Sequence, residues 1–137
     1  MKVVILCGGK GTRLEKETEW KPKPMVTIGG APILIHIMRL YARYGFNEFI
    51  LPLGYKGDVI KDYFLNFYTK NHDFTIDLKN DSVLIRDKNK CDWKVTLADT
   101  GEDAQTGARI KKIQHLLTDD IFHLTYGDAV SNIDLKE

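Results

Sequence analysis

Alternating apolar and polar stretches predict strands and helices in turn along the first half of the chain. Val3–Cys7 is a continuous apolar run rich in β-branched residues, which is typical of a strand covered on both faces. Between Pro32 and Gly45, apolar residues recur at helical spacing, so these two residues mark the expected start and end of a helix. Phe49–Leu53 predicts a second strand, and Val59–Phe67 predicts a second amphipathic helix.

The second half of the chain predicts shorter strands, one further helix and a final strand. Three short runs separated by polar residues are expected to be strands: Phe74–Leu78, Ser82–Ile85 and Trp93–Leu97. A helix is expected from about Thr106 to Leu117, and a last strand at Ile121–Tyr126. Strands that alternate with helices predict an open α/β sheet, mostly parallel, with helices on both faces.

Composition and charge fit an ordinary soluble chain and argue against several classes of function. The 137 residues suit one domain or part of one, with 43% hydrophobic and 28% charged residues. A formal net charge of +1 gives no reason to expect nucleic acid or a membrane surface as partner. The longest apolar run is too short to span a bilayer and lacks the features of a signal peptide. Cys7 and Cys91 have no metal-ligand spacing, which predicts free thiols in a reducing cytoplasm.

A glycine-rich loop, Gly8-Gly9-Lys10-Gly11-Thr12-Arg13, follows the first predicted strand directly. Glycines let backbone N–H groups approach phosphate oxygens, and Arg13 can hold a phosphate through two parallel hydrogen bonds. The loop therefore predicts a phosphate site, and the alternative is a glycine turn that only reverses the chain. No window matches a Walker A loop, and the dinucleotide fingerprint fails because Leu14 occupies its third glycine position.

A second cationic segment, Lys21-Pro22-Lys23-Pro24, strengthens the phosphate interpretation. Proline fixes its own φ and disfavours helix at the residue before it, so both lysines are expected on extended backbone. A lysine on a stiff tether is a good point charge for a phosphoryl group. Taken alone, the segment is better explained as a solvated linker with incidental charge.

Together, the loop and the Lys-Pro segment resemble the signature of the sugar-1-phosphate nucleotidyltransferases. That signature is an apolar strand, then G-G-x-G-T-R-L, then P-K-P-M after a short gap, and Cys7–Leu14 and Pro22–Val26 match it. The resemblance implies a Rossmann-like sheet of the nucleotide-diphospho-sugar transferase type. Five further segments are similar to the glucose-1-phosphate cytidylyltransferase branch of the family: Ile28–Leu34, Gly54–Gly57, Val95–Gly101, Thr106–Arg109 and Thr125–Asp128.

The resemblance implies a reaction in which a cytidylyl group passes from CTP to glucose-1-phosphate, giving CDP-glucose and pyrophosphate. Negative charge accumulates around the α-phosphorus of CTP as the sugar phosphate attacks, so cations around it are the main catalytic need. By the same resemblance, Arg13 would hold the departing pyrophosphate and Lys23 would lie against the reacting phosphates. Asp128 would bind Mg²⁺, the implied cofactor.

The resemblance also implies which residues contact the nucleotide. Thr106, Gly107 and Arg109 match the family segment near the base, where Arg109 could donate to a cytosine carbonyl. The alternative is that Thr106 caps a helix and that Arg109 is a surface residue. The complete set expected to bind the nucleotide is Leu6, Gly8, Gly9, Gly11, Thr12, Arg13, Lys23, Thr106, Gly107 and Arg109.

The family's catalytic domain is longer than this chain. The resemblance therefore implies that residues 1–137 are the nucleotide-binding part and that the sugar-binding part is absent, by truncation or because a partner completes the domain. A sheet that stops just after Asp128 would leave an edge and an uncovered face. CTP and a sugar-1-phosphate are the implied partners, and a homo-oligomer is left open. The alternatives are a related enzyme that uses another NTP, a non-catalytic nucleotide-binding module, and an NAD-dependent oxidoreductase, which the missing glycine disfavours.

Overall fold

The structure is a computed structural model that describes residues 1–10, 16, 19–70, 72–86 and 90–136. In chain order, the described strands are β1 (Val3–Leu6), β2 (Thr27–Ile28), β3 (Ala31–Pro32), β4 (Glu48–Leu53), β5 (Phe74–Asp77), β6 (Ser82–Ile85), β7 (Lys94–Asp99) and β8 (His123–Tyr126). The described α-helices are α1 (Ile33–Arg43), α2 (Gly57–Leu65) and α3 (Thr106–Lys112), and short 3-10 turns lie at Lys23–Met25 and Gln114–Leu116.

A parallel sheet in the order β7-β4-β1-β8 forms the centre of the described fold. β1 pairs with β4 on one side and with β8 on the other, and β4 pairs with β7, each time in parallel. Val3, Val4 and Ile5 are fully buried, as the continuous apolar run predicted for a strand covered on both faces. The expected open parallel α/β sheet is therefore confirmed.

Helices cover both faces of this sheet, as expected. Val3 and Ile5 belong to a core that α1 and α2 complete on one face. Val4 and Ile50 lie side by side in the register of β1 and β4 and point to the other face. There they pack with Ile113, which is 1% exposed and follows α3 directly. Because successive side chains of a strand alternate between faces, one short strand supplies both cores.

The helix expected from about Thr106 to Leu117 is shorter and tighter than the pattern predicted. α3 ends at Lys112, and the 3-10 turn Gln114–Leu116 continues it. Ile113 between them has φ −96° and ψ 6°, outside regular helical geometry. Ile113 is buried against the sheet, and the backbone departs from regular helix there. The last turn closes through hydrogen bonds of the 3-10 type, such as Leu116 N–H to Ile113 O at 2.8 Å.

Two hairpins lie outside the main sheet. β2 and β3 pair antiparallel around Gly29 and Gly30, whose φ angles of 58° and 81° suit the tight turn of a two-residue hairpin. β5 and β6 form the second hairpin, where the Asp77 carboxylate accepts hydrogen bonds from two backbone N–H groups of the turn. The sequence predicted β5 and β6 as strands but did not predict β2 and β3.

One edge of the main sheet is open to solvent. β8 is the edge strand, and its Leu124 and Tyr126 side chains are 48% and 60% exposed. Across the residues that the structure describes, no helix has both the length and the apolar character needed to cross a membrane.

Replacing Leu51 by alanine tests the assignment of the core. Leu51 is fully buried in β4, so Leu51→Ala should lower the free energy of unfolding by about 2–5 kcal/mol in chemical denaturation. Leu65→Ala is the matched control because Leu65 is 80% exposed, and its effect should stay within about 0.5 kcal/mol. Equal effects of the two substitutions would contradict the burial described for β4.

Candidate functional site

The carboxyl ends of β1, β4 and β8 lie side by side, and three glycines leave the sheet at that edge. Cys7 continues β1 and bridges to Leu53 at the end of β4, with its N–H donating to Pro52 O at 3.2 Å. On the other side, Leu6 pairs with Tyr126. The residues that follow these ends, Gly8, Gly54 and Gly127, therefore start from one place, which is where open α/β sheets form their sites.

Gly127 admits a close approach of the Lys-Pro segment to the end of β8. Its N–H donates to Leu6 O at 2.9 Å. A side chain at this position would meet Pro24 Cγ at 3.1 Å and Cys7 Sγ at 3.2 Å. Pro24 is buried here, inside the 3-10 turn that begins at Lys23. Glycine thus lets the turn pack directly onto the strand end.

This packing brings Lys23 and Asp128 into contact. Lys23 Nζ donates to Asp128 Oδ2 at 2.8 Å, between residues 105 positions apart in the chain. The Lys23 side chain is 24% exposed and that of Asp128 is 37% exposed. A partly shielded cation and a carboxylate therefore face each other beside the glycine loop.

Arg109 reaches the same region from α3 and is 4% exposed. Its Nη2 donates to Gly8 O at 2.9 Å and to Glu102 O at 3.2 Å. Its Nη1 lies 2.7 Å from both Thr100 Oγ1 and Gly101 O, and 3.2 Å from the backbone oxygen of Leu53. One guanidinium therefore joins the ends of β1, β4 and β7. Burial lowers the pKa of Arg109, yet an arginine keeps its charge at neutral pH.

The glycines at positions 8 and 54 make room for this guanidinium. A side chain built at Gly8 would collide with the guanidinium group of Arg109. One built at Gly54 would come within 2.6 Å of Arg109 Nη1 and 2.7 Å of Gly8 O. These glycines are required by close packing around a buried charge.

Lys10 makes a further link between the glycine loop and the turn after β7. Its Nζ donates to Asp103 Oδ1 at 3.1 Å and lies 3.7 Å from Glu102 Oε1. The hydrogen bond from Lys10 to Asp103, followed by the charges of Asp103 and Glu102, raises the pKa of Lys10. The site thus has the Lys23–Asp128 pair on one side and the Lys10–Asp103 pair on the other.

These residues enclose a cavity of about 190 Å³. Seven of the residues expected to bind nucleotide or metal line it: Leu6, Gly8, Gly9, Lys23, Thr106, Arg109 and Asp128. Gly107 is not among the lining residues. Gly11, Thr12 and Arg13 lie outside the described residues, so their expected roles stay predictions. Residues from four separate segments of the chain thus meet at one cavity.

A family comparison identifies this arrangement. Residues 2–120 match the family model described as "Nucleotidyl transferase", which is most of the chain. The chain belongs to the nucleotidyl transferase family. The resemblance read from the glycine loop and the Lys-Pro segment is thereby confirmed.

Curated relatives within this family cover nearly the whole chain. It is 48% identical over 137 residues to a glucose-1-phosphate cytidylyltransferase of Salmonella typhimurium, a match covering 99% of this chain and 53% of the relative. It is 49% identical over 135 residues to a probable glucose-1-phosphate cytidylyltransferase of Bacillus subtilis, covering 98% of this chain and 53% of that protein. The chain spans about half the length of the curated relatives it matches.

Solved structures agree with the nucleotidyl transferase fold. HddC from Yersinia pseudotuberculosis, complexed with GMP-PN, superposes with a TM-score of 0.72 at 32% identity, covering 98% of this chain and 51% of that one. A UDP-glucose pyrophosphorylase from Acinetobacter baumannii superposes with a TM-score of 0.69, covering 93% of this chain and 45% of that one. At 19% identity, the second likeness supports the fold alone.

The structure contradicts one local expectation, for Lys23, and the alternative interpretation of Thr106 and Arg109. Lys23 does not lie on extended backbone, because it opens a 3-10 turn in which Val26 N–H donates to Lys23 O at 3.1 Å. Thr106 is not a helix cap, since Gln105 holds the cap position of α3 without a side-chain hydrogen bond. Arg109 is not a surface arginine, because it is buried.

Sequence reasoning overlooked several residues that line the nucleotidyl transferase cavity. They adjoin the expected residues in sequence. They could have been found from the predicted parallel pairing, because it sets strand ends next to one another. The Leu6–Tyr126 register and the turn before α3 account for most of them. The overlooked residues are Cys7, Pro24, Ala104, Gln105 and Tyr126.

Asp128 suits a magnesium ion that is shared with phosphates. In the described part of the chain, no group of three or more His, Cys, Asp or Glu side chains could hold a metal by itself. Magnesium keeps several waters and commonly takes one or two carboxylates together with substrate phosphates. Asp128 is a single carboxylate on the wall of the cavity and fits such shared coordination, so binding of Mg²⁺ here remains a proposal that the donor chemistry supports.

A larger cavity, of about 480 Å³, lies away from this site. Its lining between α2 and β7 is mainly apolar and includes Phe64, Phe67, Trp93 and Leu97. Its lysine, Lys61, donates to Asp99 Oδ2 at 2.6 Å. None of the described residues that line this larger cavity is a glycine.

Cys7 borders the nucleotidyl transferase site but is an inert core thiol. It is 1% exposed, and its S–H donates to Ile5 O at 3.3 Å. Burial, with a smaller contribution from the Asp128 carboxylate, raises the pKa of the Cys7 thiol far above its ordinary range. A raised thiol pKa keeps the neutral form, which is a poor nucleophile.

We expect iodoacetamide at pH 8 to alkylate Cys91, which is partly exposed, and to leave Cys7 unmodified in the folded protein. Mass spectrometry of the digested protein measures both positions. In denaturant both thiols should react at similar rates, which is the control. Labelling of Cys7 as fast as Cys91 in the folded protein would show that the thiol is accessible and ionised.

Proposed function

We propose that the chain is the nucleotide-binding part of a glucose-1-phosphate cytidylyltransferase. The reaction would transfer the cytidylyl group of CTP to glucose-1-phosphate and release pyrophosphate. The observation that carries the proposal is the contact of Lys23 with Asp128 beside the glycine loop, because it places a cation and a metal-type ligand at one phosphate-sized cavity. The names of the 48–49% identical relatives support the choice of CTP and glucose-1-phosphate.

The ion pair explains how the described residues would receive a nucleotide. Without ligand, Lys23 and Asp128 neutralise each other at 2.8 Å. A triphosphate entering the cavity offers Lys23 a more highly charged anion, and Asp128 is then free to hold a cation. Bound Mg²⁺ would offset repulsion between phosphate oxygens. Lys23 would then stabilise the charge that builds up around the α-phosphorus.

A related pyrophosphorylase using another nucleotide is the second candidate. The observation in its favour is HddC, a 32% identical structure that was complexed with GMP-PN. The described cavity contains Thr106 and Gln105 near the expected base position, and neither residue type selects cytosine by its chemistry alone. The base is therefore proposed from the likeness to the cytidylyltransferases.

Lys23→Ala tests the catalytic part of the proposal. We expect pyrophosphate release from CTP plus glucose-1-phosphate, with Mg²⁺, to fall about a hundredfold or more, because a preorganised cation at the reacting phosphates is lost. Lys70→Ala is the matched control, since Lys70 is exposed at the end of the turn that follows α2. It should retain the wild-type rate.

Two outcomes of this comparison, and a separate measurement of NAD binding, test the proposal against its alternatives. Equal rates for wild type and Lys23→Ala would remove Lys23 from the reaction. No pyrophosphate release by the wild type, with CTP binding retained, would favour a non-catalytic nucleotide-binding module or a fragment that cannot turn over by itself. NAD binding without any effect of Mg²⁺ would support the oxidoreductase alternative and contradict the proposal.

Nucleotide selectivity is a separate prediction. In competition binding with Mg²⁺, we expect CTP to bind this chain at least about tenfold more tightly than UTP, dTTP or GTP, a difference of about 1.4 kcal/mol. Isothermal titration with each nucleotide measures it, and inorganic triphosphate serves as a base-free control. Tighter binding of GTP than of CTP would favour the second candidate.

A further inference from the structure

We propose that Arg109 is a positioning residue that fixes the glycine loop for phosphate binding. The inference rests on the proposed nucleotide site but assigns Arg109 a role other than contact with the base. Nη1 and Nη2 of its guanidinium are engaged by acceptors within the protein, at residues 8, 53, 100, 101 and 102. A base carbonyl would have to compete with these acceptors.

The bond to Gly8 sets the direction of the next peptide N–H. In a trans peptide, the carbonyl of one residue and the N–H of the following residue point in opposite directions. Gly8 O points to Arg109 Nη2 at 2.9 Å and also accepts from the Tyr55 N–H at 3.4 Å. The Gly9 N–H is therefore held pointing away from Arg109. Since Gly9 lines the cavity, holding this peptide in one orientation fixes the backbone that a phosphate oxygen would meet there.

The charge of Arg109 supports the same role. Among the described residues, no carboxylate lies within ion-pair distance of its guanidinium. A buried charge without a counter-ion is costly, and five hydrogen-bond acceptors offset only part of that cost. An anion in the adjoining cavity would supply the missing counter-charge, and such an interaction acts on every phosphate whatever base it carries.

Arg109→Lys should weaken the binding of CTP, UTP and inorganic pyrophosphate by a similar factor, about tenfold or more. A lysine keeps the charge but cannot make the forked contacts to Gly8 O and the turn after β7. Isothermal titration gives the three affinities. Arg43→Lys, at an exposed position at the end of α1, is the matched control and should leave all three affinities unchanged.

Amide hydrogen exchange without ligand tests the loop directly. Peptides that contain Gly8 and Gly9 should exchange about tenfold faster in Arg109→Lys, while β4 is unaffected, because a loop held by hydrogen bonds to charge opens when they are lost. Arg43→Lys should not change the exchange. Unchanged exchange of the loop in folded Arg109→Lys would overturn the proposal.

A second variant covers the case in which Arg109→Lys does not fold. Gly54→Ala keeps the arginine but places a methyl group 2.6 Å from Nη1 and 2.7 Å from Gly8 O. It should give the same pattern of faster loop exchange and equally weakened phosphate binding. Wild-type exchange and affinities in Gly54→Ala would contradict the proposal.

The affinities also separate this inference from the proposed function. A loss confined to CTP, with UTP and pyrophosphate unaffected, would mean that Arg109 contacts the base and is not a loop anchor. If the wild type binds none of the three ligands, the proposed function fails. The exchange comparison still decides whether Arg109 holds the loop.

Discussion

The parallel pairing of β1 with a strand on each side is the constraint on which the site depends. Because β1 is central and buried on both faces, its register with β4 and β8 is fixed by two cores at once. A slip of one residue would exchange the side chains of the two faces. The same register sets Gly8, Gly54 and Gly127 at one edge, so the packing of the core and the geometry of the candidate site have a common origin.

Polar contacts then gather charged side chains at this edge, and the contacts of Lys23 and Arg109 depend on glycines. The Lys23–Asp128 pair forms because Pro24 packs where Gly127 has no side chain. Arg109 fits because Gly8 and Gly54 leave space for its guanidinium. The cations reach the site from segments far apart in sequence, and only the folded sheet brings them together. A Cβ at Gly54 or Gly127 would also press on backbone oxygens, so replacing either glycine would disturb the strand ends together with the charges.

The sequence predicted the sheet and seven of the residues that line the candidate cavity, because those depend on local pattern or on a family signature. The apolar run of β1 and the spacing of the apolar residues in α1 follow from burial and therefore appear in the chain itself. The Gly29-Gly30 pair is a turn signal, but the hairpin was not predicted, because its short strands carry little apolar pattern. The 3-10 turn at Lys23 was not predicted either, since the conformational preferences around proline favour extended backbone there.

The environment of Arg109 could not be predicted, because it depends on which carbonyl groups the folded sheet leaves available. Those at residues 8, 53 and 101 come from three strand ends that meet only through tertiary pairing. A family likeness placed Arg109 near the base, and a helical pattern placed it at a surface. Its 4% exposure contradicts the surface alternative and leaves the place near the base a prediction. A buried guanidinium requires a set of acceptors that no short motif encodes.

Cavity chemistry, more than cavity size, decides where a nucleotide can bind. The cavity beside the glycine loop, about 190 Å³, is smaller than the roughly 300–1,000 Å³ typical of small-molecule sites. It can hold only part of a nucleoside triphosphate, so the rest of the ligand must lie outside it. The cavity of about 480 Å³ is large enough, but the Asp99 carboxylate already engages its Lys61 ammonium. Phosphate needs cations and backbone N–H groups, and the described residues concentrate those groups at the smaller cavity.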